Sequence, residues 1–112
     1  MKIKRFDIWL ADLNPVIGSE PGKIRPVVVI QTDLLNMNHP STIICPITTN
    51  IIPDAEILRV HLSKSTIKEV SDIMVDQIRA IDNRRFLKKI GTLNFVQSMK
   101  LSQNLKVILD LG

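Results

Sequence analysis

Gly18-Ser19-Glu20-Pro21-Gly22-Lys23-Ile24-Arg25-Pro26-Val27-Val28-Val29-Ile30-Gln31 joins a loop that can lie close to a polyanion to a strand that has to be buried. Gly18, Pro21 and Gly22 punctuate the first half, and glycine permits both positive φ and close backbone approach. Val27 to Ile30 form a β-branched run without alternation, the pattern of a strand covered on both faces. Arg25 stands at the junction. Pro26 after it forces an extended conformation on Arg25, and Pro26, lacking an N–H, belongs at a strand's first position or on an edge. A guanidinium on a pre-extended residue at a strand mouth, beside Glu20 and Lys23, is placed to receive a phosphate.

Outward from this stretch, the chain reads as strands closed by a helix. Phe6–Leu13 alternates Phe6, Ile8 and Leu10 against Asp7, Trp9 and Ala11, a first strand that Asn14-Pro15 breaks. Ile24–Gln31 is the second. Thr32–Pro40 is a polar connection with room for one helical turn. Ser41–Thr48 is a third strand, with Pro46 pointing to a bulge or an edge. Ile57–Leu62 is a fourth, Ser63–Ser71 a polar linker, and Asp72–Arg79 a fifth. Asp82 is expected to cap a short helix carrying Phe86, Leu87 and Ile90 on one face, stopped by Gly91. Asn94 caps a longer one, Phe95–Leu109, with Gln97 at the capping-box position. On that helix Phe95, Met99, Leu101, Leu105, Ile108 and Leu109 share about half the circumference and must pack on something. Strands followed by a terminal helix imply a mainly β, α+β fold: a small, strongly bent antiparallel sheet or barrel with one helix against it.

The 112 residues suffice for one domain with one core, spanning 1–112. With 45 % apolar and 23 % charged residues the composition is globular, not disordered. One Trp, three Phe and no Tyr leave too few rings for base stacking to be the main grip on a nucleic acid. The net charge of +4 suits a nucleic-acid partner without demanding one. A single cysteine, Cys45, excludes an intrachain disulfide and fits a reducing cytoplasm. No apolar run approaches the roughly 20 residues of a spanning helix, and no secretory signal is read at the start. His39 and His61 lack metal-site spacing, so no metal and no cofactor are expected.

Three places can carry chemistry. Arg25 is either a surface arginine paired with Glu20 or Asp33, or a fork for phosphate oxygens that stays protonated at any working pH. Thr48, followed by Thr49 and Asn50, is either turn chemistry at a strand end or a hydroxyl aimed at a phosphoryl oxygen. In Asp76-Gln77-Ile78-Arg79, the aspartate within an apolar run is either paired with Arg79 or facing a groove. Lys2, Lys4, Arg5 and the Arg84–Lys89 cluster read most simply as solvated surface.

Asp7-Ile8-Trp9-Leu10-Ala11-Asp12-Leu13-Asn14-Pro15, Gly18-Ser19-Glu20, Arg25-Pro26-Val27-Val28-Val29-Ile30-Gln31, Pro46-Ile47-Thr48 and Asp76-Gln77-Ile78-Arg79-Ala80-Ile81-Asp82 together resemble the MazF/PemK (Kid) toxin family. The resemblance covers nearly the whole chain in the family's order. It implies an SH3-like barrel with a C-terminal helix, and a homodimer that cleaves single-stranded RNA without metal and is restrained by a cognate antitoxin. DNA would be met only through that antitoxin, and no membrane is involved. The family's catalytic positions fall on Arg25, Thr48 and Glu20. Substrate contacts are expected from Asn14, Ser19, Lys23, Thr49, Asn50, Asp76, Gln77 and Arg79. A toxin of the same barrel that poisons a topoisomerase without cutting anything is the alternative, disfavoured by the pairing of Arg25 with Thr48. Two stretches depart from the family. Phe6 stands where a glycine is usual, and its bulk is expected to alter the first strand's start. Ile51–Ser71 does not align, and it is expected to bear on which RNA sequence is cut.

Overall fold

The computed structural model describes residues 2–14, 18–19 and 23–112. Among the described residues seven strands, β1 (Asp7–Asp12), β2 (Ile24–Val29), β3 (Ser41–Thr48), β4 (Arg59–Leu62), β5 (Ser71–Met74), β6 (Arg79–Asp82) and β7 (Phe86–Thr92), precede one α-helix, α1 (Phe95–Ile108). All pairings are antiparallel, in the order β4-β5-β3-β2-β1-β7, with β6 also on β3. β3 is the hub. One edge holds β2; the other holds β6 along Ser41–Ile44 and then β5 along Ile47–Thr48. Pro46, which has no N–H to give, sits in the gap where the second edge changes partner.

The unalternating Val27–Val29 run is buried on both faces. Val27 and Val29 join Ile3, Trp9, Ala11, Leu13, Ile44, Ile81 and Phe86 in one cluster. Val28 turns the other way, to Ile8, Cys45, Ile47, Val60, Leu62 and Ile73, where Leu101 and Leu105 of α1 close the second cluster. Register shifts in the β1–β7 pair, between Ile8 and Trp9 and between Leu10 and Ala11, bend the sheet toward closure. Trp9 and Phe86 meet edge to face across that pair, their centroids 5.7 Å apart.

Several sequence expectations change. The helix expected after Asp82 is a single 3-10 turn, Asn83–Arg85, running straight into β7. Phe86 and Ile90 are spaced for a helix, but β1 offers an edge to pair with, and pairing overrides local preference. Asp82 still caps the turn, accepting from the Arg84 backbone N–H at 2.8 Å. Gly91 is a strand residue, not a helix stop: a Cβ there would meet the Thr66 carbonyl oxygen at 3.1 Å. The fifth strand is two. β5 ends at Met74, and Val75-Asp76 turn the chain into β6.

α1 forms the expected capping box. Asn94 Oδ1 accepts from Gln97 N–H at 2.8 Å, and Gln97 Oε1 accepts from Asn94 N–H at 2.9 Å. Its predicted apolar face is only partly used: Leu101 and Leu105 are buried, whereas Phe95 is 77 % exposed and Met99 and Leu109 about half so. Phe6, standing where a glycine is usual, adopts φ +69, the left-handed region that favours glycine. Its N–H donates to the Val29 carbonyl at 2.7 Å and the Arg5 guanidinium lies 4.4 Å over its ring. Those contacts offset the strain of a bulky side chain in that conformation.

Candidate functional site

The sheet builds the site by register. β2 and β3 pair at Val27–Pro46, Val28–Cys45 and Val29–Ile44. Continuing that register by two residues sets Arg25 across from Thr48, at the ends of both strands. Arg25 pairs on its other side with Ala11, and Thr48 with Asp72. Residues directly opposite in antiparallel strands project to the same face, so the guanidinium and the hydroxyl lie side by side although 23 positions separate them in the chain. Both residues are half-buried. Thr48 Oγ1 accepts the Asn50 N–H at 3.1 Å, which leaves its O–H free to donate outward.

The loop before Arg25 is tied at its base. Asn14 Oδ1 accepts from Lys23 N–H at 2.9 Å, and Leu13 N–H donates to the Lys23 carbonyl at 2.9 Å. Arg85 Nη1 donates to the carbonyls of both Asp12, at 3.0 Å, and Asn14. Lys23 takes φ +67 to leave the loop, again a left-handed residue without being glycine. Of the predicted contacts in this loop, Asn14, Ser19 and Lys23 are exposed; Glu20 lies outside the described residues.

The remaining predicted residues divide. Arg79 pairs opposite Ile44, an even position of β3 like Thr48, and so lies on the same face, half-buried. Gln77 is half-buried in the preceding connection, its N–H donating to the Met74 carbonyl at 3.2 Å. Asp76 is not in a strand at all: it is exposed on the turn between β5 and β6. Thr49 points away from the row, into a cleft of about 600 Å³ on the other face with Leu10, Pro26, Ser71 and Lys88. Asn50 is exposed and serves by its backbone, its carbonyl accepting from Arg59 Nη1 at 2.9 Å.

Sequence reading missed two features. One is Arg85, assigned to solvated surface although it braces the loop. The other is a buried polar group beside Thr48: Asp72, fully buried, holds Arg59 Nη1 at 3.2 Å, His61 Nδ1 at 2.5 Å and the Ile52 N–H at 3.0 Å. The alternation of Arg59 and His61 along β4 was the available signal, since both had to face one side together. Cys45 is no nucleophile. Burial, and secondarily the charge of Asp76, pushes its thiol up to about 12. Among the described residues no group of three or more His, Cys, Asp and Glu side chains could hold a metal ion, and no helix is long and apolar enough to cross a membrane.

A family model described as PemK-like, MazF-like toxin of type II toxin-antitoxin system matches residues 4–109. The chain is 37 % identical to Endoribonuclease EndoA of Bacillus subtilis, covering 99 % of this chain and 97 % of that protein. Its fold matches MazF from Deinococcus radiodurans with a TM-score of 0.87 at 18 % identity, over 99 % of both chains. It also matches a chain of the MazE-MazF structure from the same organism, with a TM-score of 0.80 at 18 % identity over 100 % of this chain and 99 % of that one.

Proposed function

Because the chain belongs to the PemK-like, MazF-like toxins of type II toxin–antitoxin systems, we propose that it is the endoribonuclease toxin of such a pair, acting on single-stranded RNA in the cytoplasm. The near full-length match to a protein named endoribonuclease supports the activity. The observation that carries the site is the register that sets Arg25 across from Thr48. A pure binding protein has no need of that pair.

RNA carries its own nucleophile, the 2′-hydroxyl, so cleavage needs only three services from the protein. A base takes the 2′-hydroxyl proton, the oxygen attacks the adjacent phosphorus, and the bond to the 5′-oxygen breaks as that oxygen is protonated. The products are a 2′,3′-cyclic phosphate and a 5′-hydroxyl. Arg25, always protonated, stabilises the extra negative charge on the phosphoryl oxygens by fixed hydrogen bonds. Thr48 donates its free O–H to a phosphoryl or leaving oxygen. Glu20, by the ordinary range of carboxylates, is the residue for the base. Lys23, Arg79 and Gln77 flank the pair and hold the strand, with Asn14, Ser19 and Asn50 on the rim.

The cognate antitoxin blocks this groove with an acidic segment. A homodimer belongs to the same reading: α1 leaves Phe95, Val96 and Met99 exposed, an apolar strip of the kind a second copy covers. The test is incubation of the purified protein with a long single-stranded RNA in excess chelator. Discrete fragments with 5′-hydroxyl ends, absent with folded Arg25→Ala and Thr48→Val proteins, are expected. RNA left intact by the wild-type protein overturns the reading.

A further inference from the structure

The row that begins at Arg25 does not stop at β3. Thr48 pairs with Asp72 on β5, and Asp72 with His61 on the edge strand β4. His61 therefore shares the face of Thr48. The opposite face of β4 belongs to α1, where Val60 and Leu62 join Leu101 and Leu105, so the helix does not cover His61, whose side chain is 43 % exposed.

Asp72 fixes the chemistry of that ring. A carboxylate only accepts, so the hydrogen in the 2.5 Å contact to Asp72 Oδ1 is on His61 Nδ1. In the neutral ring this leaves Nε2, on the far side, with a lone pair and no hydrogen. Arg59, the cation beside it on β4, is already committed to Asp72 and the Asn50 carbonyl. With its ring neutral, His61 is an outward acceptor at the end of a row whose other members, the Arg25 guanidinium and the Thr48 hydroxyl, are donors. Phosphate oxygens have nothing to give it. The donors of an RNA strand are its ribose 2′-hydroxyls and its base N–H groups.

Distance separates His61 from the reaction itself. β4 lies two interstrand spacings from β3, about 10 Å, and one phosphate cannot touch both Thr48 and His61. We infer that His61, held by Asp72, accepts a hydrogen bond from the ribose 2′-hydroxyl of a nucleotide flanking the scissile phosphate. It is a substrate-positioning contact that reads RNA against DNA beyond the cleaved position. The inference rests on the nuclease reading above.

The test uses an RNA oligomer centred on a cut site mapped from the fragment ends, with 2′-O-methyl at the cleaved nucleotide so that it binds without reacting. Fluorescence anisotropy at pH 8 compares wild-type protein with His61→Ala and with His61→Asn, which can still donate to Asp72 but whose shorter amide puts no acceptor at the position of Nε2. Each flanking nucleotide is changed in turn to 2′-deoxy, and separately to another base. One flanking deoxy substitution is expected to weaken wild-type binding by about three- to tenfold, the worth of a neutral hydrogen bond. The same substitution should cost neither variant anything further. Equal deoxy penalties in wild type and both variants at every position overturn the inference alone, while the RNA is still cut. Loss of additivity at a base change instead of a sugar change also overturns it. RNA left uncut and unbound by the wild type sinks the nuclease reading and this inference together.

Discussion

Arg85 Nη1 donates to the carbonyl oxygen of Asn14, 71 residues earlier in the chain, and at 3.0 Å to that of Asp12. Asn14 in turn holds Lys23 N–H at 2.9 Å. One guanidinium thereby ties the start of β7 to both ends of the loop that leads into Arg25. Arg85→Ala should lower the RNA cleavage rate by about tenfold, because misplacing a positioned group is costly even when the group remains. The accompanying stability loss should be about 1–3 kcal/mol, the worth of hydrogen bonds from a charged donor. Arg85→Lys should recover only part of either, since an ammonium lacks the fork. Cleavage kinetics beside urea unfolding of the three proteins decide the matter; a cleavage rate unchanged in Arg85→Ala would rule the brace out.

Thr48 does two things with one oxygen, accepting from Asn50 N–H and keeping a hydrogen to donate. Thr48→Ser keeps both and should cleave within about tenfold of wild type. Thr48→Val is nearly isosteric but loses both, and its rate should fall by about 10²–10³, the usual cost of a transition-state donor. If the valine variant cuts RNA as fast as the serine variant, the hydroxyl has no part in the chemistry.

How much of this was legible depends on whether the cause was local. Val27–Val29 announced a strand covered on both faces because β-branched runs carry that meaning wherever they occur, and both clusters do claim it. Asn94 and Gln97 announced the helix start because a capping box is complete within four residues. Phe86–Thr92 misled, since Phe86 and Ile90 satisfy helical spacing and only the distant edge of β1 makes them a strand. Arg85 misled for the same reason: a surface arginine and a brace look alike until the fold brings Asn14 beside it. The Arg25–Thr48 pair came from family resemblance; composition and spacing left each residue with two readings. His61 and Arg59 lie in the stretch that did not align and Asp72 directly after it, and their meeting follows from β4 pairing with β5.

Asp72 gives the clearest stability prediction. Its carboxylate is fully buried, with Arg59 only 12 % exposed beside it. Asp72→Ala would leave that cation buried without its partner, and the Ile52 N–H without an acceptor. A loss of about 3–5 kcal/mol is expected in urea unfolding. His61→Ala, which removes a half-exposed ring and leaves the Arg59 bond in place, should cost about 1 kcal/mol. Similar losses for the two would mean that Asp72 is not the anchor of this corner.

Acid should reveal the 3-10 turn. Asp82 Oδ1 accepts from the Arg84 backbone N–H at 2.8 Å and from Nε at 3.0 Å, and Oδ2 accepts from Nη2 at 2.9 Å. The side-chain bonds foremost, with the backbone bond next, hold the Asp82 carboxyl down to about 2 from an ordinary 3.8. A carboxyl whose pKa is lower in the folded chain than in the unfolded one favours the folded state wherever it is ionised. That contribution is complete above about pH 4 and is lost as the pH falls from there through about 2. The Arg84 side chain is 90 % exposed, so salt screens the pair and the effect on global stability is slight. The carboxyl itself is the better reporter. Its carbon-13 titration in the folded protein should have a midpoint near 2. Arg84→Ala removes the side-chain bonds but keeps the backbone N–H, so the midpoint should rise toward 3.8 without reaching it. A midpoint that does not move would place the cause in the turn's backbone alone.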